Sequence, residues 1–293
     1  MATYTNFNNE IFSQKALEGF VMELMPFAGF STNFSPDPVQ KGDTVLVPLI
    51  GGLTATTFSG SYAVSGGTMT AVTVTINKHK IVPVGQDDIT AANSSMANLG
   101  KFAYQQGAAL ATLILRDVFA LAVSSNFAQI TEIAPGAMDV AQIRATRLAL
   151  NQANCPRTPR NLVLDAVPYD ALLGVTNFVQ AHMFGDRVAI AEGNVPRALG
   201  FDLYELNAPF LGVSVMGLAA HASAIAIAMR YLQPQSPERY DYAAPVTDPG
   251  TGLTFGVRSH YDPNTGTYYT NLEANYGFSV GITNAGRTLR STL

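Results

Sequence analysis

Four histidines, one cysteine and a few carboxylates are the groups in this chain that could do chemistry, and their spacing gives them little to do. His79, His182, His221 and His260 stand singly, without the HxxxH or paired spacing of a metal site. Cys155 is the sole cysteine, which excludes a CxxC zinc site and an intrachain disulfide and permits a reducing compartment. GTGLTFG at 250–256 mimics a dinucleotide fingerprint, but its last glycine comes one residue late and it opens a strand instead of a helix. GVSVMG at 212–217 misses the nucleophile elbow because its second glycine falls one position late. DPNTG at 262–266 begins like a calcium loop, yet Gly266 stands where a ligand belongs and no glutamate closes it. Asp87 with Asp88, and Asp186 near Glu192, remain as acid–base candidates. Asp87 and Asp88 read better as charges at a helix N-terminus. No catalytic residue, no cofactor site and no metal site is assigned.

Composition points away from catalysis as well. Hydrophobic residues make up 47% of the 293 and the mean hydropathy is +0.15. Charged residues are only 13%, about half the usual share of roughly 25%. Too few charges are available to cover a soluble exterior, which predicts a surface covered by other subunits, because interface cores are depleted in charge. A neutral surface rich in Thr, Ser and Asn is the alternative. The net charge of −4 opposes a strong electrostatic grip on nucleic acid, which needs concentrated Lys and Arg. MATYTNFNNE lacks the basic and apolar parts of a signal peptide. No run reaches the ~18 apolar residues of a membrane span. The nearest, Gly217 to Met229, contains His221 and Ser223. A soluble cytosolic chain without a membrane partner is expected.

The elements that position these residues can be read from periodicity. Residues 8–25 have helical spacing, with Ile11, Phe12, Leu17, Phe20, Val21 and Leu24 on one side. Only Lys15 is basic there, so the helix reads as an arm that docks on protein and not on a membrane surface. The Pro-broken segment STNFSPDPVQKGD follows as an extended strap. Two period-two runs, GDTVLVPL and AVTVTINKHKIVPV, bound a long Gly-, Ser- and Thr-rich connection from 49 to 70. A structureless loop beyond about 12–15 residues is uncommon and usually functional or disordered. Phe58, Tyr62 and Met69 are large apolar groups there with little local core to enter. Residues 98–127 read as one long helix with Leu110, Ile114, Val118 and Leu121 on its greasier stripe. A second helix spans 139–154 with Asp139 as N-cap. After CPRTPR the pattern turns to NLVLDA as a buried strand, PYDALLGV as a helix, and LGFDLYEL and SAIAIAMR as strands. A closing hairpin turns through Asp262, Pro263, Asn264 and Gly266.

This order of parts resembles the major capsid (coat) proteins of tailed bacteriophages. The resemblance is carried by an N-terminal arm, GDTV-VP opening a long hairpin loop, AVTVTINKHK returning from it, and a long spine helix. It continues through NLVLDAVPYDALLG, GNVPRALGFDLYELN, GLAAHASAIAIAMR and GVRSHYDPNTGTYYTNLEANYGFSVGITNAG, with Tyr276–Gly277. It implies an α+β fold, the tailed-phage major capsid fold. Its expected parts are an N-terminal arm (1–41), an extended β-hairpin loop (42–86), a peripheral domain with the spine helix (87–160), an axial domain (161–245) and a return to the peripheral domain (246–293). It further implies pentamers and hexamers of an icosahedral shell enclosing double-stranded DNA without sequence-specific binding, a virion assembled in the host cytoplasm, and a portal protein with a possible decoration protein as partners. No long charged extension precedes the arm, which implies a separate scaffolding protein. No lysine lies between Lys41 and Lys78, so the loop offers none for a Lys–Asn crosslink. Phe58, Tyr62, Met69, Phe7 and Phe12 are the expected intersubunit contacts. Two other readings stay open: an encapsulin-like compartment shell holding cargo enzymes, and a soluble α/β hydrolase or carbohydrate-binding protein.

Overall fold

A computed structural model describes residues 2–33, 44–50, 57–58, 60, 69–89, 96–175, 195, 197–206, 211 and 214–292. Four helices are described: α1 (Ala2–Leu24), α2 (Met96–Phe119), α3 (Val140–Gln152) and α4 (Ala166–Leu173). The strands are β1 (Ser31–Asn33), β2 (Thr44–Ile50), β3 (Met69–Thr75), β4 (Lys78–Asp87), β5 (Gln129–Ile133), β6 (Arg160–Asp165), β7 (Arg197–Ala198), β8 (Phe201–Leu206), β9 (Val215–His221), β10 (Ile225–Arg230), β11 (Tyr242–Thr247), β12 (Thr254–Asp262), β13 (Thr267–Val280) and β14 (Gly286–Ser291). They form a first sheet in the order β1-β10-β13-β12-β11 with β4 also on β13, a second in the order β5-β14-β9-β6-β8-β7, and a separate ribbon of β2 and β3.

Helices α1 and α2 lie against each other and against the first sheet. Their crossing is built from small residues. A Cβ on Gly107 would lie 2.8 Å from the Ala16 carbonyl carbon, and one on Gly19 would lie 3.0 Å from that of Tyr104, each nearer still to the oxygen. Phe12, Ala16, Phe20 and Leu24 therefore enter the core of their own chain with Ala103, Leu110, Ala111 and Ile114. Phe20 also meets Phe255 of β12 at 4.9 Å between ring centroids. Gln106 ties helix to sheet, its Nε2 donating to Val82 O at 2.8 Å and Thr270 O at 3.1 Å. Helix α2 ends at Phe119, short of the expected 127, and the chain tightens there into i→i−3 turns, Leu121 N donating to Val118 O and Ala122 N to Phe119 O. Asn126 Nδ2 donates to Leu121 O at 3.0 Å, and Phe127 turns back into the core.

Two strand assignments differ from the sequence reading. AVTVTINKHKIVPV is not one strand. It breaks after Thr75, so that β3 pairs with β2 while β4 pairs with β13. The break falls at Ile76–Asn77, and Asn is a poor strand former. SAIAIAMR is buried as expected, but it does not join the strands of 161–245. It is β10 of the first sheet, between β1 and β13. The chain leaves the second sheet at a corner, Ala222–Ala224, where His221 Nδ1 accepts from the Ser223 amide at 3.2 Å. The second sheet instead recruits β5 and the late strand β14. The closing hairpin follows the expected turn, with Gly266 at φ +58 in the left-handed region that glycine favours.

In the second sheet, α3 starts with a full capping box between Asp139 and Gln142. The stretch after it, read as a linker, is held by a buried side chain. Arg160, 3% exposed, donates to Pro156 O at 2.7 Å, Asn151 Oδ1 at 2.8 Å and Cys155 O at 2.6 Å. Three carbonyl groups thus satisfy a guanidinium that has no ion pair among the described residues. Asp165, at the start of α4, is less well served. Its Oδ1 has no hydrogen-bond partner, and burial raises its pKa from 3.8 to about 6. The folded state therefore holds this proton more tightly than the unfolded chain, so its contribution to stability is full below pH 3.8 and is lost as pH rises through about 6. Asp165→Asn is expected to raise the melting temperature at pH 7.5 and leave it nearly unchanged at pH 4. Equal shifts at both pH values would overturn this assignment.

Candidate assembly surface

The ribbon of β2 and β3 is paired with neither of the two larger sheets. Its alternation sorts the residues cleanly. Val45, Val47, Val74 and Ile76 are buried on Ala226 and Ala228 of β10, with Val72 packed beside them. Thr44, Leu46, Pro48, Ala71, Thr73 and Thr75 face outward, and Leu46 is 66% exposed. Seven paired residues, Thr44–Ile50 against Met69–Thr75, reach about 24 Å at ~3.4 Å per residue.

The base of the ribbon is seated on β13. Gly277 permits this: a Cβ there would lie 2.9 Å from Ile76 Cα and closer still to the Thr75 carbonyl oxygen. Beside it, Tyr276 donates its hydroxyl to Asp117 Oδ2 of α2 at 2.8 Å, and Lys78 Nζ lies 3.0 Å from the same oxygen. Lys78 also sits 4.9 Å from the Phe278 ring centroid. Burial alone would raise the Asp117 pKa, but the bonds from Lys78 and Tyr276 and the charges of Lys78 and Lys80 outweigh it and lower the net value. Burial, then the Asp117 carboxylate, raises that of Tyr276. Ribbon, sheet and α2 are locked together by a charged knot at one point.

The five expected contact residues fall in different places. Phe58 is 64% exposed. Tyr62 lies outside the described residues. Met69 begins β3 and Phe7 lies in α1, and the side chains of both are outside the described ones. Phe12 is corrected: at 6% exposure it belongs to the core of its own chain, because the apolar stripe of α1 finds its partner in α2. Leu46, on the outer face of the ribbon, was not singled out, although alternation with Val45 and Val47 places it there.

The potential chemical groups have structural partners. His221 caps the corner turn and lies 2.9 Å from Ser223 Oγ. Burial lowers its pKa, opposed by a hydrogen bond with the Thr158 backbone and assisted by the Arg160 charge. His260 lies between Tyr240 and Tyr269 at 5.8 and 5.4 Å between ring centroids. His79 Nε2 is 3.4 Å from Glu273 Oε2, whose other oxygen is 2.7 Å from Arg258. His182 lies outside the described residues. Asp87 closes β4 and Asp88 opens a helical turn, in line with the helix-terminus reading, and the Asp88 carboxylate also accepts the Tyr261 hydroxyl at 2.9 Å. Cys155 is buried, which raises its thiol pKa. Among the described residues no group of three His, Cys, Asp or Glu is placed to hold a metal, and no helix is long and apolar enough to cross a membrane.

Comparison with known proteins gives a fold and not a close relative. No family model matches the sequence, and no curated protein matches it. Among solved structures, the capsid structure of the cyanophage P-SCSP1u is similar at 16% identity and a TM-score of 0.60, covering 91% of this chain and 88% of that one. The asymmetric unit of the bacteriophage PhiM1 mature capsid is similar at 12% identity and a TM-score of 0.55, covering 91% and 86%. The virus-like particle from Pyrococcus furiosus is similar at 12% identity and a TM-score of 0.57, covering 96% and 98%. With its long helix, its two sheets and its projecting ribbon, the chain has the mixed helix-and-sheet fold of phage capsid structures.

Proposed function

We propose that this chain is the major capsid protein of a tailed phage. It assembles as pentamers and hexamers into an icosahedral shell enclosing double-stranded DNA, and it acts structurally, not as an enzyme. The observation that carries this reading is the likeness to capsid structures over about nine-tenths of the chain. The ribbon gives it a physical basis, since one face is buried on the subunit and the other is open to a neighbour. A closed shell repeats one contact in slightly different settings, and an extended element tolerates that variation. Phe58, Tyr62, Met69 and Phe7 are proposed intersubunit contacts, with Leu46 added. A separate scaffolding protein, a portal protein and a decoration protein are the proposed partners, with assembly in the host cytoplasm. A cargo-holding compartment shell is the second reading, favoured by the near full-length match to the Pyrococcus furiosus particle.

Negative-stain microscopy and nuclease digestion of particles from the native source test both. Shells with nuclease-resistant double-stranded DNA are expected. Shells with a co-purifying protein and no protected DNA would favour the compartment. A monomer or dimer on size exclusion, with no particles, would sink both.

A further inference from the structure

Helices α3 and α4 carry opposite charge on one sheet. Residues 140–160 contain four arginines and no acid, whereas residues 161–175 contain two aspartates and no base. Arg160 is internal, but Arg144, Arg147 and Arg157 are exposed. On α3, Arg144 and Arg147 are one turn apart and flank Leu148, which is 58% exposed. On α4, Asp170 lies one turn from Val167, which is 60% exposed. Glu205 of β8 joins that side, and its charge helps to raise the Tyr169 pKa, behind burial as the main cause. Each helix thus presents an exposed aliphatic group beside charges of one sign.

The two faces do not neutralise each other within the subunit. Helix α3 packs on β5 and β14, whereas α4 packs on β6 and β8 and touches the Pro135–Ala137 turn. With β9 and β6 between them, β14 and β8 are about 14 Å apart at ~4.8 Å per strand. Among the described residues neither Arg144, Arg147 nor Asp170 has an ion pair. Nearby opposite charges are already engaged: Asp139 caps α3, Glu132 pairs with Arg290 at 3.2 Å, and Arg197 lies 3.5 Å from Asp202.

We propose that the α3 face of one subunit docks on the α4–β8 face of a second copy of this chain. Arg144 and Arg147 meet Asp170 and Glu205, and Leu148 packs against Val167. Complementary patches at different places on one molecule make a heterologous, head-to-tail contact, which closes into a ring when the rotation allows. The inference rests on the shell reading and supplies a lateral contact that the ribbon does not make. Buried in a subunit boundary, these few charges give register and partner choice.

The test compares particle yield by sedimentation and microscopy for the wild type, R144E/R147E, D170R/E205R, and the chain carrying all four changes. All sites are exposed, so circular dichroism melts are expected to stay near wild type. Each double variant is expected to lose at least tenfold in particle yield, and the fourfold variant, whose faces are complementary again, to recover most of it. Wild-type yield from either double variant overturns the contact, as does failure of the fourfold variant to recover. Normal particles from R144E/R147E that no longer retain DNA would assign the arginine face to nucleic acid instead. If the wild type itself forms no particles, the shell reading fails and this inference with it.

Discussion

Replacing Gly107 by valine is expected to drive α1 off α2 and cost about 3 kcal/mol, the upper part of the range for overpacking. The site has no slack. Even a single Cβ would lie 2.8 Å from the Ala16 carbonyl carbon and 3.0 Å from the Phe20 amide nitrogen. Both belong to helix backbone, so no side chain can turn aside to make room. The only relief is to separate the helices, and Gly19 against Tyr104 holds them at the same spacing from the other side. Separation would uncover part of Phe12, Phe20 and Leu24, each worth about 1.5–3 kcal/mol only when exposed completely. Gly100→Ala is the control. It lies on the same helix, and its Cβ would meet only Lys15 Cγ at 3.9 Å, so it is expected to be neutral or to stabilise by up to about 1 kcal/mol through helix propensity. Denaturant unfolding of the unassembled subunit reads both effects. If Gly107→Val unfolds at the wild-type midpoint, the close crossing is not what holds α1.

The crossing also shows where legibility stopped. The apolar stripe of α1 was readable from spacing, but nothing in residues 2–24 says whether that stripe meets its own chain or a neighbour. The deciding residues, Gly107 and Ala103, lie far along the chain in a helix where glycine reads only as a propensity penalty. Phe12 was therefore assigned outward and is in fact core. Local chemistry was easier to read. The Asp139 cap and the left-handed Gly266 are each specified within a few residues. Arg160 was missed because its partners are mostly main-chain carbonyls, which every sequence has and none advertises. The ribbon was legible as alternating runs, yet its length was overestimated. Period-two alternation persists through β3 and β4 alike, and only pairing distinguishes a projecting strand from a sheet edge.

That distinction is made at Gly277, and Gly277→Val is expected to abolish assembly while the subunit remains folded. The glycine sits in β13 opposite Ala228, beneath the point where the chain passes from ribbon to sheet. A side chain there meets Thr75 O and, at 2.9 Å from its Cβ, Ile76 Cα. It must lift the ribbon base, peeling Val74 and Ile76 from Ala226 and Ala228. That small cluster is separate from the main core, so the loss falls on the position of the ribbon more than on global stability. A displacement at the base is carried along a ribbon of about 24 Å, which is enough to misplace its outer face against a neighbour. Tyr276→Phe provides the opposite case. It removes the hydroxyl bond to Asp117, worth about 1.5–3 kcal/mol for a charged acceptor, without adding any volume under the ribbon. Its melting temperature is expected to fall, but its shells are expected to form. Melting curves and particle counts on the two variants separate the roles of the neighbouring residues. Wild-type shells from Gly277→Val would show that the seat of the ribbon does not govern assembly.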